Sequence, residues 1–90
     1  QVLSVYYADY GAKGFSIIPN PIAGAGTLKF YNPGNASFTF EVYNSSGIFV
    51  HFQEIAGDEI ELNTTLFEGG VYFFRLYNAK NRFNGRFTVM

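Results

Sequence analysis

Apolar and polar residues alternate with a period of two along most of the chain. Ser37 to Tyr43 is the clearest stretch: Phe38, Phe40 and Val42 fall on one face, Thr39, Glu41 and Tyr43 on the other. That period marks a strand with one buried side. Thr27 to Tyr31 places Leu28 and Phe30 inward. After Asn44-Ser45-Ser46-Gly47, the alternation predicts Ile48, Val50 and Phe52 inward, with Phe49, His51 and Gln53 outward. Ala56-Gly57-Asp58 turns the chain, and Ile60 and Leu62 form the next inward pair. Val71 to Tyr77 is the richest strand, with Tyr72, Phe74 and Leu76 on one face and Val71, Phe73, Arg75 and Tyr77 on the other. Asn78 to Asn81 closes a hairpin into Phe83 to Met90, where Phe83, Phe87 and Val89 share a face. With Phe15 to Ile18 this makes about seven short strands and no sustained 3.6-residue period. The expected fold is all-β, an antiparallel β-sandwich or a small barrel.

The punctuation between strands carries its own predictions. Pro19-Asn20-Pro21 removes two backbone donors and fixes two φ angles, so it stops the first strand and suits a chain leaving one sheet. Ala23-Gly24-Ala25-Gly26 reads as a flexible loop. Asn32-Pro33-Gly34-Asn35 has the chemistry of a type II turn, with Gly34 at the position needing positive φ. Thr64 to Gly70 is a crossing loop with room for one helical turn. Gly69-Gly70 lets the chain enter a strand from a tight corner, and Tyr72 is placed to return its hydroxyl to a loop, as in the tyrosine corners of sandwiches. Residues 1–13 read as a linker or lead-in strand from a preceding domain, and residues 14–90 as the domain proper.

Ninety residues hold one domain with a modest core. There is no cysteine, so ring packing must do what disulfides do in many small exported domains; 11 Phe and 7 Tyr make that feasible. A net charge of -1 offers nothing to neutralise a phosphate backbone, which argues against nucleic acid. No apolar run is long enough for a transmembrane helix. Gln1-Val2-Leu3 lacks the basic start and apolar core of a signal peptide. The chain reads as a piece of a longer protein whose export signal lies upstream.

No catalytic constellation stands out. His51 is the single histidine, expected on the outward face without a partner for metal or proton transfer. Glu59 and Glu61 share a face beside Asp58, which suits a solvated edge that discourages strand pairing better than a calcium site. No metal or cofactor is expected, and the chain is not read as an enzyme. The outward Tyr31, Tyr43 and Tyr77 suit either stacking on a sugar or cross-strand pairing. Sequons at Asn35, Asn44 and Asn63 fall in turns, where asparagine is common anyway.

Four features in order resemble the C-terminal sorting domain (type A) of cargo of the type IX (Por) secretion system of Bacteroidota. They are Phe15 to Pro21 ending in Pro19-Asn20-Pro21; Phe40 to Val50 with a turn glycine at Gly47; Leu66 followed by Gly70-Val71-Tyr72-Phe73-Phe74-Arg75-Leu76; and a short last strand, Gly85 to Met90. The resemblance covers about Gly14 to Met90. It implies an immunoglobulin-like sandwich that directs its parent protein across the outer membrane. It implies a periplasmic stage, then the cell surface or the medium, with translocon and shuttle proteins as partners. A sortase-like signal peptidase usually removes such domains, and the loop Ala8 to Gly14 is the expected place for a cut. Carried over, translocon recognition points to Arg86, Phe87, Thr88, Val89 and Met90, supported by Gly70 and Tyr72. The last segment departs from the family in having Arg86 as its one basic residue and in ending on Met90.

A last strand on a sheet edge would expose backbone donors and acceptors, so docking is expected by strand addition or through the face bearing Arg86. The same open edge favours strand-swapped dimers. The alternative is a carbohydrate-binding or adhesive immunoglobulin-like module of an extracellular bacterial protein, working through its tyrosines.

Overall fold

The structure, a computed structural model, describes residues 14–63, 65 and 67–90. The lead-in 1–13 and the motif residue Leu66 lie outside the described residues. Seven strands form: β1 Phe15–Ala23, β2 Ala25–Phe30, β3 Phe38–Asn44, β4 Phe49–Ile55, β5 Glu59–Asn63, β6 Gly70–Tyr77 and β7 Arg82–Val89. They are ordered β4-β3-β6-β7-β1-β2-β5. Two layers share β1: its first half pairs with β2, and Ile22 near its end pairs in parallel with Val89 of β7. All other neighbours run antiparallel. The expected sandwich is therefore present.

The core is the set of inward positions that the alternation picks out. Phe38, Phe40 and Val42 of β3, Tyr72, Phe74 and Leu76 of β6, and Phe87 and Val89 of β7 face Leu28 and Phe30 of β2 and Ile60 and Leu62 of β5. Fully burying each such side chain contributes about 1.5–3 kcal/mol. Rings meet edge-on, as their quadrupoles prefer: Phe30–Phe38 and Phe15–Phe74 both have centroids 5.1 Å apart.

Five expectations are corrected. The first concerns Pro19-Asn20-Pro21, which does not end β1. The strand carries on to Ala23 with a register shift, and the prolines mark where it passes from one layer to the other. Both prolyl bonds are cis. The second is the loop at 23–26, which is a tight turn at Gly24 (φ 94°), with Ala25 and Gly26 already in β2. A Cβ on Gly26 would sit 3.0 Å from Ile22 Cγ1, so a small residue is needed there.

The third correction is the turn after β2. Gly34 is not at positive φ, so no type II turn forms; Asn35 takes the left-handed conformation instead (φ 52°), a region Asn tolerates. Buried Asn32 fixes that loop by donating to the Ala36 and Gly57 carbonyls and accepting from the Ala36 N–H.

The fourth is β4. Val42 pairs with His51 but Tyr43 pairs with Phe49, so Val50 is an extra residue and the side-chain phase inverts beyond it. Ile48, Val50 and Phe52 are exposed, while His51 and Gln53 turn inward beside Ile55 and are half-buried. His51 is thus no outward residue: its ring packs against Phe40 and Phe67, and its Nε2 lies 2.8 Å from Gln53 Oε1.

The fifth is the last strand. Its closing end is not a free edge: at Thr88 to Met90 β7 lies between β6 and the end of β1, and β4 and β5 are the outermost strands of the order. The layer switch at Pro19–Pro21 is what carries Ile22 alongside it. The crossing loop before β6 shows turn and bend conformation, with no helical turn among its described residues.

Candidate recognition surface around the last strand

β7 is held on both sides. Along its whole length it pairs with β6, from Gly70↔Val89 to Tyr77↔Arg82. On the other side, Asn20 Oδ1 accepts the Thr88 N–H at 3.2 Å and the Ile22 carbonyl accepts the Met90 N–H at 2.9 Å. The prolines flanking Asn20 have no N–H of their own. The strand addition expected from the sequence therefore meets an edge already occupied at Thr88 and Met90.

This pairing brings Gly70, Tyr72, Phe87 and Val89 together. Gly70 is at φ 150°, a conformation that favours glycine, and starts β6 opposite Val89. Tyr72 stacks on Phe87 (5.5 Å, 18°) and donates its hydroxyl to the Glu68 carbonyl at 2.6 Å. The tyrosine corner is thus formed. Phe67, which sequence reasoning passed over, fills the angle between them with centroids 5.1 Å from Tyr72 and 5.5 Å from Phe87. Its signal was an aromatic in a loop just before a glycine pair.

The residues singled out around β7 divide by accessibility. Tyr72, Phe87 and Val89 are buried, Thr88 is half-buried, and Arg86 and Met90 are exposed, Met90 at 78%. Met90 ends at the Gly69 corner, where a Cβ would lie 3.5 Å from its carbonyl carbon. Gly47 turns the β3–β4 hairpin at φ 83°, closed by its N–H on the Asn44 carbonyl.

The outer face of the β4-β3-β6-β7 layer carries the polar chemistry. Glu41 is its hub, with a side chain only 17% exposed. It accepts hydroxyls from Tyr43 (3.0 Å) and Tyr77 (2.8 Å) and lies 3.7 Å from the Arg75 guanidinium, which also sits over the Tyr77 ring. The hydrogen bond to Glu41 holds the Tyr77 hydroxyl above its ordinary pKa, with desolvation adding to it. Tyr77 thus ties β6 to β3, whereas the Tyr43 hydroxyl stays within β3 and its ring meets Phe49 of β4 at 5.6 Å. At the far edge, Glu59 pairs with Lys29 (3.7 Å). Among the described residues no group of three His, Cys, Asp or Glu side chains could hold a metal ion.

The architecture is that of an immunoglobulin-like β-sandwich. Residues 16–90 match the model of the secretion system C-terminal sorting domain, and the chain belongs to that family. It is a C-terminal signal for type IX secretion, addressed to the cell surface or the medium. PorZ, a surface component of the type-IX secretion system of Porphyromonas gingivalis, has a similar fold: TM-score 0.68 at 20% identity over 86% of this chain. The chain spans only 11% of PorZ. A DUF3244-family protein of Bacteroides vulgatus with an immunoglobulin-like β-sandwich gives a TM-score of 0.65 at 17% identity, over 88% of this chain and 87% of its own. No curated protein sequence matches the chain.

Proposed function

We propose that this domain works as an address alone, with no catalysis of its own, and that the translocon reads it on the folded end of β7. The parent protein reaches the periplasm by a separate signal. Translocon and shuttle proteins then engage the exposed Arg86 side chain and the Met90 end. Gly70, Tyr72, Phe87, Thr88 and Val89 hold that end in place. A sortase-like peptidase removes the domain at the cell surface, cutting in the segment before Phe15.

The observation that carries this reading is the division within β7. Phe87 and Val89 are buried and shape the strand, while at its closing end Arg86 and Met90 are exposed to a partner. Docking through the face bearing Arg86 fits better than strand addition, because the Thr88 and Met90 N–H groups are already taken.

The test is a secretion assay with residues 1–90 fused to a periplasmically exported fluorescent reporter. It compares a type IX-competent host with a translocon-null strain. Reporter is expected outside the cell only in the competent host. Arg86→Ala or removal of residues 86–90 should trap it in the periplasm. Undiminished export of both variants would refute the assignment of recognition to this end.

A further inference from the structure

The outer face of the β4-β3-β6-β7 layer is more apolar than solvent contact alone explains. Phe49 and Phe52 are each 52% exposed and Phe73 44%, with Val71 on the same face of β6. Three half-exposed rings leave about 300 Å² uncovered, and with Val71 the patch is within the range that is often functional on a monomer. A shallow groove of about 460 Å³ crosses the face, lined by Tyr43, Phe73, Arg75, Asn84 and Gly85 among others. No other part of the described chain covers it.

Charge on this face is split in two. Its carboxylates, Glu41 and Glu54, lie on β3 and β4; its arginines, Arg75, Arg82 and Arg86, lie on β6 and β7. The cross-strand rows preserve the split. One row runs Phe52–Glu41–Arg75–Asn84, the next Phe49–Tyr43–Phe73–Arg86, and a third Glu54–Thr39–Tyr77–Arg82.

We infer that this face is the interface of a homodimer, with a second copy of the chain as its occupant. The symmetry axis runs along the strands between β3 and β6. Rotation about it lays β4 of one copy over β7 of the other and β3 over β6. Every row then meets its complement. Glu54 faces Arg82 of the other copy. Glu41 faces Arg75, giving an alternating ring of four charges. Phe49 covers Arg86, a cation–π arrangement. Phe52 reaches the groove beside Gly85, and Tyr43 meets Phe73. Such an isologous contact makes each pairing twice. Two sheets stacked about 10 Å apart suit side chains of this length. The apolar patch together with the exposed charged side chains of the rows, counted on both copies, reaches about 1,000 Å², the lower bound for a specific interface. A face with opposite charges on its two halves fits its own copy rotated, whereas a uniformly charged partner would match only half of it. The dimer is separate from any strand exchange at β7, and because it covers Arg86, it competes with the translocon for that face; sedimentation reads association alone.

Sedimentation velocity on the 90-residue chain, from micromolar to submillimolar concentration, tests it. The wild-type chain should show a monomer–dimer equilibrium. Arg82→Glu places two carboxylates together and should weaken association about tenfold or more. Glu54→Arg alone should do the same. The double variant Glu54→Arg/Arg82→Glu restores opposite charges across the axis and should recover most of the affinity. Both positions are exposed, and circular dichroism with a thermal melt confirms that each variant keeps its fold. A chain that stays monomeric throughout, a dimer unmoved by the single changes, or a double variant no better than the singles would each overturn the proposal.

Discussion

Asn20 Oδ1 accepts the backbone N–H of Thr88 at 3.2 Å, across 68 residues of sequence. Two residues further on, the Ile22 carbonyl takes the Met90 N–H. The first strand thus fixes the position of the last one, and the motif that opens the domain shapes the end proposed to be read.

Asn20→Ala should remove that acceptor at a cost of about 1 kcal/mol to global stability. The larger effect should be local: faster hydrogen exchange of the Thr88 and Met90 amides, with the β3–β6 ladder unchanged. Asn20→Asp keeps an acceptor and should restore slow exchange at Thr88. Equal protection in the alanine variant would show that the clamp contributes nothing.

Gly85 faces the core where a Cβ would fall 2.5 Å from Phe15 Cζ and 2.8 Å from Phe74 Cε2. Gly85→Ala should cost about 1–3 kcal/mol through overpacking. Urea unfolding would read this as a lower midpoint at constant slope. Gly47→Ala meets no atom but is strained by its φ of 83°. Its smaller cost should disappear in Gly47→Asn, since Asn visits that conformation more easily.

Tyr72→Phe leaves the stack on Phe87 but deletes the hydroxyl that donates to Glu68. The lost hydrogen bond should cost about 0.5–1.5 kcal/mol. Tyr72→Ala also empties a buried ring site and should cost about 3–5 kcal/mol. A Tyr72→Phe variant that melted with the wild type would assign the tyrosine corner to ring packing alone.

Tyr77 links stability to alkaline pH. Its folded pKa lies above the ordinary 10.0, because its hydroxyl donates to Glu41. The neutral phenol is the form that the fold favours. Its contribution is complete below pH 10 and is lost as pH rises through the higher folded value. Wild-type stability should fall more steeply above pH 10 than that of Tyr77→Phe. Parallel curves from chemical denaturation at pH 8 to 11 would exclude this coupling.

Much of the fold was legible along the chain. The inward sets in β2, β3, β5, β6 and β7 follow from the period of two, because successive side chains on a strand must point to opposite faces. The tyrosine corner was legible too, from Gly69-Gly70 and Tyr72. The motifs that place the chain in the sorting-domain family are also local features of the sequence. β4 was misread because a bulge at Val50 is set by pairing with β3, and its own residues alternate as if unbroken. The turn at Pro33-Gly34 was misread because the buried Asn32 side chain, anchored to Gly57, decides which residue takes positive φ.

The sequence by itself determined where most of the strands lie, which face of most of them is buried and to which family the chain belongs. Those properties depend on neighbours one to four positions away. Tertiary structure alone decided that the end of β7 is flanked by β1, that Asn20 holds Thr88, and that the acids and arginines of the outer face divide between two strand pairs. These depend on strand order, which arises where β1 crosses between the layers and joins residues far apart in sequence.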